Sequence, residues 1–190
     1  MRIVALVPSM NVGGELSLNK LLKRRGFHIV GIVRSDGSFF TRRLWKYITY
    51  AIGRVGIYYA ALIGIFMSLH VIAAAIVVVC FWMFKKRRWA TINQLAKKHA
   101  IPVCDTDNIN SVETQKFIRS LKPDVMVSLY FDQILKKETI KIPKKGTLNV
   151  HPGRLPDYKG LWAHFWKIFN KERMGGVTIH HMDEKLDNGP

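Results

Sequence analysis

From Val55 to Phe84 the chain carries no formally charged residue, and only His70 interrupts a run of apolar or small positions. A membrane-spanning helix needs about twenty such residues. Helices buried inside soluble domains are rarely as long as this run, so the sequence predicts contact with a bilayer. The flanks are basic on both sides, with Arg42, Arg43, Lys46 and Arg54 before the run and Lys85, Lys86, Arg87 and Arg88 after it. Trp45, Tyr47, Tyr50, Trp82 and Trp89 stand near its edges, where interfacial aromatics collect. Two short apolar segments precede the run and the rest follow it. If all of them share one sheet, both flanks lie on the same side of the bilayer. That excludes a single span. It leaves a hairpin bending near Gly64 to Ser68, or a helix lying in the interface, and Arg54 within the first arm favours the shallow placement. The alternative is a soluble hairpin packed on the domain or on a second subunit. The expectation for 42–88 is therefore an anionic membrane surface on the cytoplasmic face, or a cytoplasmic protein if the insertion packs on protein.

The charge is distributed to match. Of the net +17, residues 37–104 contribute +10 because they hold no Asp or Glu; residues 1–36 contribute +4 and residues 105–190 only +3. The basic excess thus belongs to the region of the apolar run. Cys80 and Cys104 form no CxxC pair and the seven histidines show no ligand spacing, so the sequence predicts neither a disulfide framework nor a metal site.

Outside the run, short apolar segments alternate with helical ones. Arg2 to Pro8 reads as a buried strand, followed by a turn at Ser9 to Gly14, a helix with Leu16, Leu18, Leu21 and Leu22, a stop at Gly26, and a second strand from Phe27 to Val33. After the run come a helix from Trp89 to His99, a strand at 100–104, a helix from Ser111 to Leu121 and a strand from Pro123 to Leu129. A short helix from Ile134 to Ile140, a strand from Gly146 to His151, a helix from Trp162 to Asn170 and a last strand from Val177 to Met182 complete the order. This alternation predicts an α/β fold with an open, mostly parallel Rossmann-like sheet and helices on both faces, interrupted by an apolar helical insertion. The expected division is 1–36 with 89–190 as one domain and 37–88 as the insertion. The Gly13-Gly14 pair lacks GxGxxG spacing, so no dinucleotide site is predicted.

At the carboxyl end of the strand that closes at His151, Asn149 and His151 are two apart and share a side. A carboxylate from the later loop, Asp187, could orient the imidazole. Together they make a proton-handling site with a hydrogen-bond donor for a developing oxyanion. Arg154, Tyr158 and Lys159 either contact an anionic substrate or are solvated loop residues.

The pieces Gly146 to Pro152, Leu155 to Gly160, Gly176 to His180 and Met182 to Pro190, with Ile101 to Val103 and Lys122 to Val127 upstream, occur in an order and spacing that resembles the catalytic domain of the 10-formyltetrahydrofolate-dependent formyltransferases. The resemblance covers 89–190 well and 1–36 loosely; 37–88 fall outside it. It implies a one-carbon transferase that moves a formyl group from 10-formyltetrahydrofolate to a primary amine, without a metal. It implies that Asn149 hydrogen-bonds the formyl oxygen, that His151 stabilises the oxyanion and handles protons, and that Asp187 orients His151. It places the pterin near Tyr130, Phe131, Asp132, Gln133 and Ile134, held largely through backbone groups. The expected acceptor is a small amine such as an amino sugar on a nucleotide or lipid carrier. The alternatives are methionyl-tRNA, simple hydrolysis of the donor, or an inactive membrane-tethered folate-binding fragment. Members of the family continue past the aspartate, so the resemblance also implies a C-terminally truncated catalytic domain.

Overall fold

A computed structural model of the chain describes residues 1–9, 11–36, 90–160 and 163–189, with isolated helical positions between 52 and 79. The chain separates into two compact units, Met1–Gly37 with Ala90–Pro190, and Ser38–Trp89. The first unit is a six-stranded sheet in the order β3-β2-β1-β4-β5-β6. Its strands are β1 (Arg2–Pro8), β2 (His28–Ser35), β3 (Val103–Thr106), β4 (Val125–Leu129), β5 (Thr147–His151) and β6 (Thr178–His181). Neighbours from β3 to β5 are parallel, and β6 alone runs antiparallel, against β5.

Alternation along β1 splits the core in two. Ile3, Ala5 and Val7 face one cluster with Leu18 of helix α1 (Val12–Leu22) and Leu95 of helix α2 (Ile92–Lys98). Val4 and Leu6 face a second cluster with Ile118 of helix α3 (Val112–Ser120) and Ile140 of helix α4 (Lys137–Ile140). Helices therefore cover both faces, as the alternating pattern predicts for a parallel sheet. Leu18 and Ile118 are fully buried, each stabilising its docked helix by about 1.5–3 kcal/mol. The helix starts follow from local chemistry: Asn11 caps α1, Ser111 caps α3, and Thr91 with Gln94 forms a reciprocal capping box on α2.

Several boundaries differ from the sequence expectation. Ala100 takes a positive φ of 50° and Pro102 follows it, so β3 begins only at Val103. The helix expected from Ile134 is a single turn at Lys137–Ile140, because the preceding backbone is drawn across to Asn110. Helix α5 (Ala163–Phe169) agrees with its expected position.

Two side-chain links brace the sheet domain around Ala90 and Arg34. Ala90 exchanges two hydrogen bonds with the side chain of Asn19, at 2.8 and 3.3 Å. Arg34 at the end of β2 makes a two-pronged pair with Asp105 of β3, at 2.5 and 2.8 Å, and donates to Asn93 at 2.7 Å. The pair holds Asp105 below the ordinary carboxylate range, chiefly through the hydrogen bond from Arg34. A depressed carboxylate contributes stability above its unfolded pKa and loses it as pH falls through the folded value. Asp105 is half exposed, so Asp105→Asn should cost only about 0.5 kcal/mol at pH 7. Paired urea titrations at pH 7 and pH 3 would check this: the difference should shrink at the lower pH.

Most of the predicted insertion, 37–88, lies outside the described residues. Where its positions are described they are helical and exposed, among them Ile57, Leu62, Ile65, Leu69 and Ile72. Among the described residues no helix is long and apolar enough to cross a membrane.

Candidate active site

The antiparallel β5–β6 pair builds the site. Asn149 stands directly opposite His180, and His151 opposite Thr178. The loop after β6 then turns back so that Asp187, at a positive φ of 44°, reaches both β5 residues. Aspartate is among the few side chains that tolerate this conformation.

Asp187 is the hub. Its Oδ1 accepts from Asn149 Nδ2 at 3.1 Å and lies 3.8 Å from His180 Nε2. Its Oδ2 accepts from the Gly160 backbone N–H at 2.8 Å and lies 3.4 Å from His151 Nδ1. Side-chain exposure is 5% for His151 and 9% for Asp187, so these contacts act in a medium that screens poorly. The structure therefore brings the three sequence-predicted residues together.

The orientation of each ring follows from which atoms can only accept. His180 Nδ1 lies 2.9 Å from the His181 carbonyl, so Nδ1 carries the proton and Nε2 accepts from Asn149 Nδ2 at 3.3 Å. Both amide hydrogens of Asn149 are then committed, one to Asp187 and one to His180. His151 Nε2 lies 2.6 Å from the Tyr158 carbonyl, so it must donate there, while Nδ1 faces the carboxylate. Both nitrogens of His151 thus face oxygens, the Tyr158 carbonyl and the Asp187 carboxylate.

The loop after β5 is held close. Thr178 donates to the Gly153 carbonyl at 2.8 Å and accepts from Leu155 N at 3.0 Å. A Cβ on Gly153 would lie 2.9 Å from that of Ala163 and 3.0 Å from His151 Nε2, so only glycine lets α5 approach this closely. Arg154, Tyr158 and Lys159 all have internal partners: Asp157 at 3.4 Å, Glu172, and Asn188 at 2.7 Å. The hydrogen bond to Glu172 raises the Tyr158 hydroxyl above the usual phenol range.

A cavity of about 230 Å³ opens beside the cluster, lined by Asn149, His180 and Asp187 on one side and by Phe131, Gln133 and Leu135 on another. His151 does not line it. Of the residues expected to hold the pterin, Phe131, Gln133 and Ile134 line this cavity. Tyr130, at a positive φ of 62°, instead lays its ring beside Gly13 at the start of α1. Asp132 is not in the lining either, and its Oδ1 is buried without a hydrogen-bond partner. The side chain of Gln133 is spent on Thr106 O and Ile109 N, which leaves its backbone for a ligand. A larger cavity of about 560 Å³, lined by Gly153, Arg154, His164 and Lys167 among others, touches neither Asn149 nor Asp187. Among the described residues no three His, Cys, Asp or Glu are grouped to hold a metal ion.

Residues 69–190 match the family described as formyl transferase. The chain belongs to the formyl transferase family. The match begins inside the apolar run, and residues 1–36 join the fold through β1 and β2. The bifunctional polymyxin resistance protein ArnA of Wigglesworthia glossinidia brevipalpis is 38% identical over 101 residues, which is 53% of this chain and 15% of that protein. The methionyl-tRNA formyltransferase of Clostridioides difficile is 43% identical over 105 residues, 55% of this chain and 34% of that one. The chain thus matches about a third or less of the length of these curated relatives. The phosphoribosylglycinamide formyltransferase from Bacillus halodurans superposes with a TM-score of 0.61 over all of this chain and 76% of that one, at 16% identity. A formyltetrahydrofolate deformylase from Pseudomonas syringae gives 0.58 at 14% identity, over all of this chain and 48% of that one. At such identities the likeness is one of fold.

His180 is the site residue that sequence reasoning misses. The alternation of His180 and His181 separates the two faces, but only the β5–β6 register puts His180 opposite Asn149. His180→Phe should leave one buried amide hydrogen of Asn149 without its partner and cost about 1–2 kcal/mol of stability. Urea titration of the variant against the parent protein would measure it.

Proposed function

We propose that this protein transfers the formyl group of 10-formyltetrahydrofolate to the primary amine of a small acceptor, an amino sugar on a nucleotide or lipid carrier. The observation that carries this reading is the convergence of Asn149, His151 and Asp187 beside a cavity that lacks an activated nucleophile. Ser128 lines the cavity, but no hydrogen bond joins its hydroxyl to His151, His180 or Asp187. A neutral amine needs no covalent relay through the enzyme, only positioning, charge stabilisation and a proton acceptor.

The step balances as follows. The amine lone pair forms the new C–N bond and the carbonyl pair moves to oxygen. Asp187, which lines the cavity, takes the proton released by the amine, and the buried His151 ring behind it holds the carboxylate in place. Collapse breaks the bond to N10 of the folate, which leaves with the proton that Asp187 returns. For the oxyanion, Asn149 Nδ2 exchanges its 3.3 Å bond to His180, the longer of its two, for the substrate oxygen. The 230 Å³ cavity falls below the roughly 300–1,000 Å³ of a pocket that encloses a whole ligand. It suits the bicyclic head of the donor, met by the backbone N–H groups of 131 and 133–135, none of which has a hydrogen-bond partner among the described residues.

The low net charge of 105–190 supports a small acceptor over tRNA, since the basic excess lies elsewhere. Donor carrying a labelled formyl group, offered with a panel of nucleotide-linked amino sugars and with methionyl-tRNA, tests the reading. Label on an amino sugar is expected. Label on methionyl-tRNA alone would replace the acceptor, and formate released without any acceptor would replace transfer with hydrolysis.

We also propose that segment 42–88 rests on an anionic membrane surface at the cytoplasmic face. Its basic flanks and the exposed apolar residues at its described positions support this. The full chain should sediment with phosphatidylglycerol vesicles and far less with phosphatidylcholine ones; recovery in the supernatant with both would refute it.

A further inference from the structure

We infer that Asn110, on the turn between β3 and α3, is the positioning residue that shapes the donor-binding loop 131–136. The inference rests on the folate reading above. One side chain holds this loop in three ways. Asn110 Nδ2 donates to the Ile134 carbonyl at 2.9 Å, and Asn110 Oδ1 accepts from Lys136 N at 2.8 Å and from the Thr139 hydroxyl at 2.9 Å. The first two bonds bracket Leu135, which is buried and lines the 230 Å³ cavity.

The turn that presents Asn110 is itself braced. Asn110 N donates to Asn108 Oδ1 at 3.1 Å, and Gln115 Nε2 donates to the Asn110 carbonyl at 3.3 Å. From the loop side, Gln133 reaches back to the same turn, accepting from Ile109 N at 2.6 Å and donating to Thr106 O at 3.1 Å. These bonds turn the Ile134 carbonyl toward Asn110. They also stop α4 from starting before Lys137, so the N–H groups of 131–135 are not consumed by a helix. Asn110 does not line the cavity and so touches no donor. It acts by holding the loop in its ligand-ready form before binding, which lowers the ordering cost of the complex.

Two full-length variants test this, Asn110→Ala and the isosteric Asn110→Asp, which keeps the accepted bonds and loses the donated one. The readouts are calorimetric affinity for 5-formyltetrahydrofolate, steady-state kcat and donor KM, and amide exchange. Asn110→Ala should weaken the folate and raise donor KM about tenfold, Asn110→Asp about threefold, for the loss of one or more ordinary hydrogen bonds. In both, kcat should stay within about twofold, because the lost interaction is common to ground and transition states. In Asn110→Ala the Lys136 amide, released from Asn110 Oδ1, should exchange faster while those of β5 do not. Wild-type binding with unchanged affinity and KM in both variants overturns the inference, as does a fall in kcat at constant KM. Failure of the wild-type protein to bind the folate overturns the proposed function instead, and the assignment of a folate to this loop with it.

Discussion

Asp187→Asn should lower kcat about a thousandfold, within the 10²–10⁴ that a positioned proton-transfer group supplies. Both carboxylate oxygens accept hydrogen bonds, from Asn149 and from the Gly160 backbone. An amide keeps the shape but must point its N–H₂ at one of these donors, so the substitution removes the charge and sets two donors against each other. It also strips the buried His151 ring of the anion it faces. Donor KM should change little, because the wall formed by Phe131 and Leu135 is untouched. His151→Ala should lose activity on a similar scale through a different route, by removing the ring that packs against Asp187 Oδ2. Single-turnover rates with labelled donor would measure both. A drop of less than about fivefold in either variant would contradict the assigned roles, since one ordinary hydrogen bond alone is worth more than that at best.

Gly189→Ala should be nearly as damaging without touching a reacting group. A Cβ on Gly189 would overlap the His181 carbonyl, coming to 2.8 Å of its carbon, and would meet Asp183 N at 3.5 Å. The obstacle is backbone on the strand that carries His180, so relief must come from the loop. That loop has little slack: Lys185 N donates to Asp183 Oδ1, Asn188 is held by Lys159, and Glu184 pairs with Lys137. Asp187 sits between these fixed points and would move with them. A displacement of about 1 Å at such a site costs on the order of 10²-fold in rate, and that is the expected loss in kcat. The melting temperature should fall only slightly, because the two core clusters end before this loop. Full activity in Gly189→Ala would show that the loop accommodates the methyl group and that its close packing does not position Asp187.

The parts of this structure that were legible in advance are those that side-chain identity encodes. The two-residue alternation in Arg2–Pro8 shows which residues face each core cluster, and the apolar run around Met126 marks a buried strand. The same period puts Asn149 and His151 on one side, where both meet Asp187. What escaped notice depends on pairings between distant segments or on backbone groups. His180 becomes a partner of Asn149 through the register of an antiparallel pair that no local pattern sets. The Tyr158 carbonyl and the Gly160 N–H, which bind His151 and Asp187, carry no signature because every residue has such groups. The helix expected from Ile134 gave way to three hydrogen bonds from Asn110, a residue twenty-four positions earlier. Tyr130 and Asp132 fell within a motif read as one unit, whereas the turn at Tyr130 sends alternate side chains away from the cavity.

The links of Ala90 to Asn19 and of Arg34 to Asp105 have a consequence for how the sheet domain can vary. β1 and β4 stand between β2 and the strand that bears Asn149. At about 4.8 Å per strand, β2 is roughly 14 Å from that strand. Substitutions at these links therefore act on the far edge of the sheet and leave the Asn149 cluster in place, so the rigidity of that edge and the geometry of the cluster become separately adjustable.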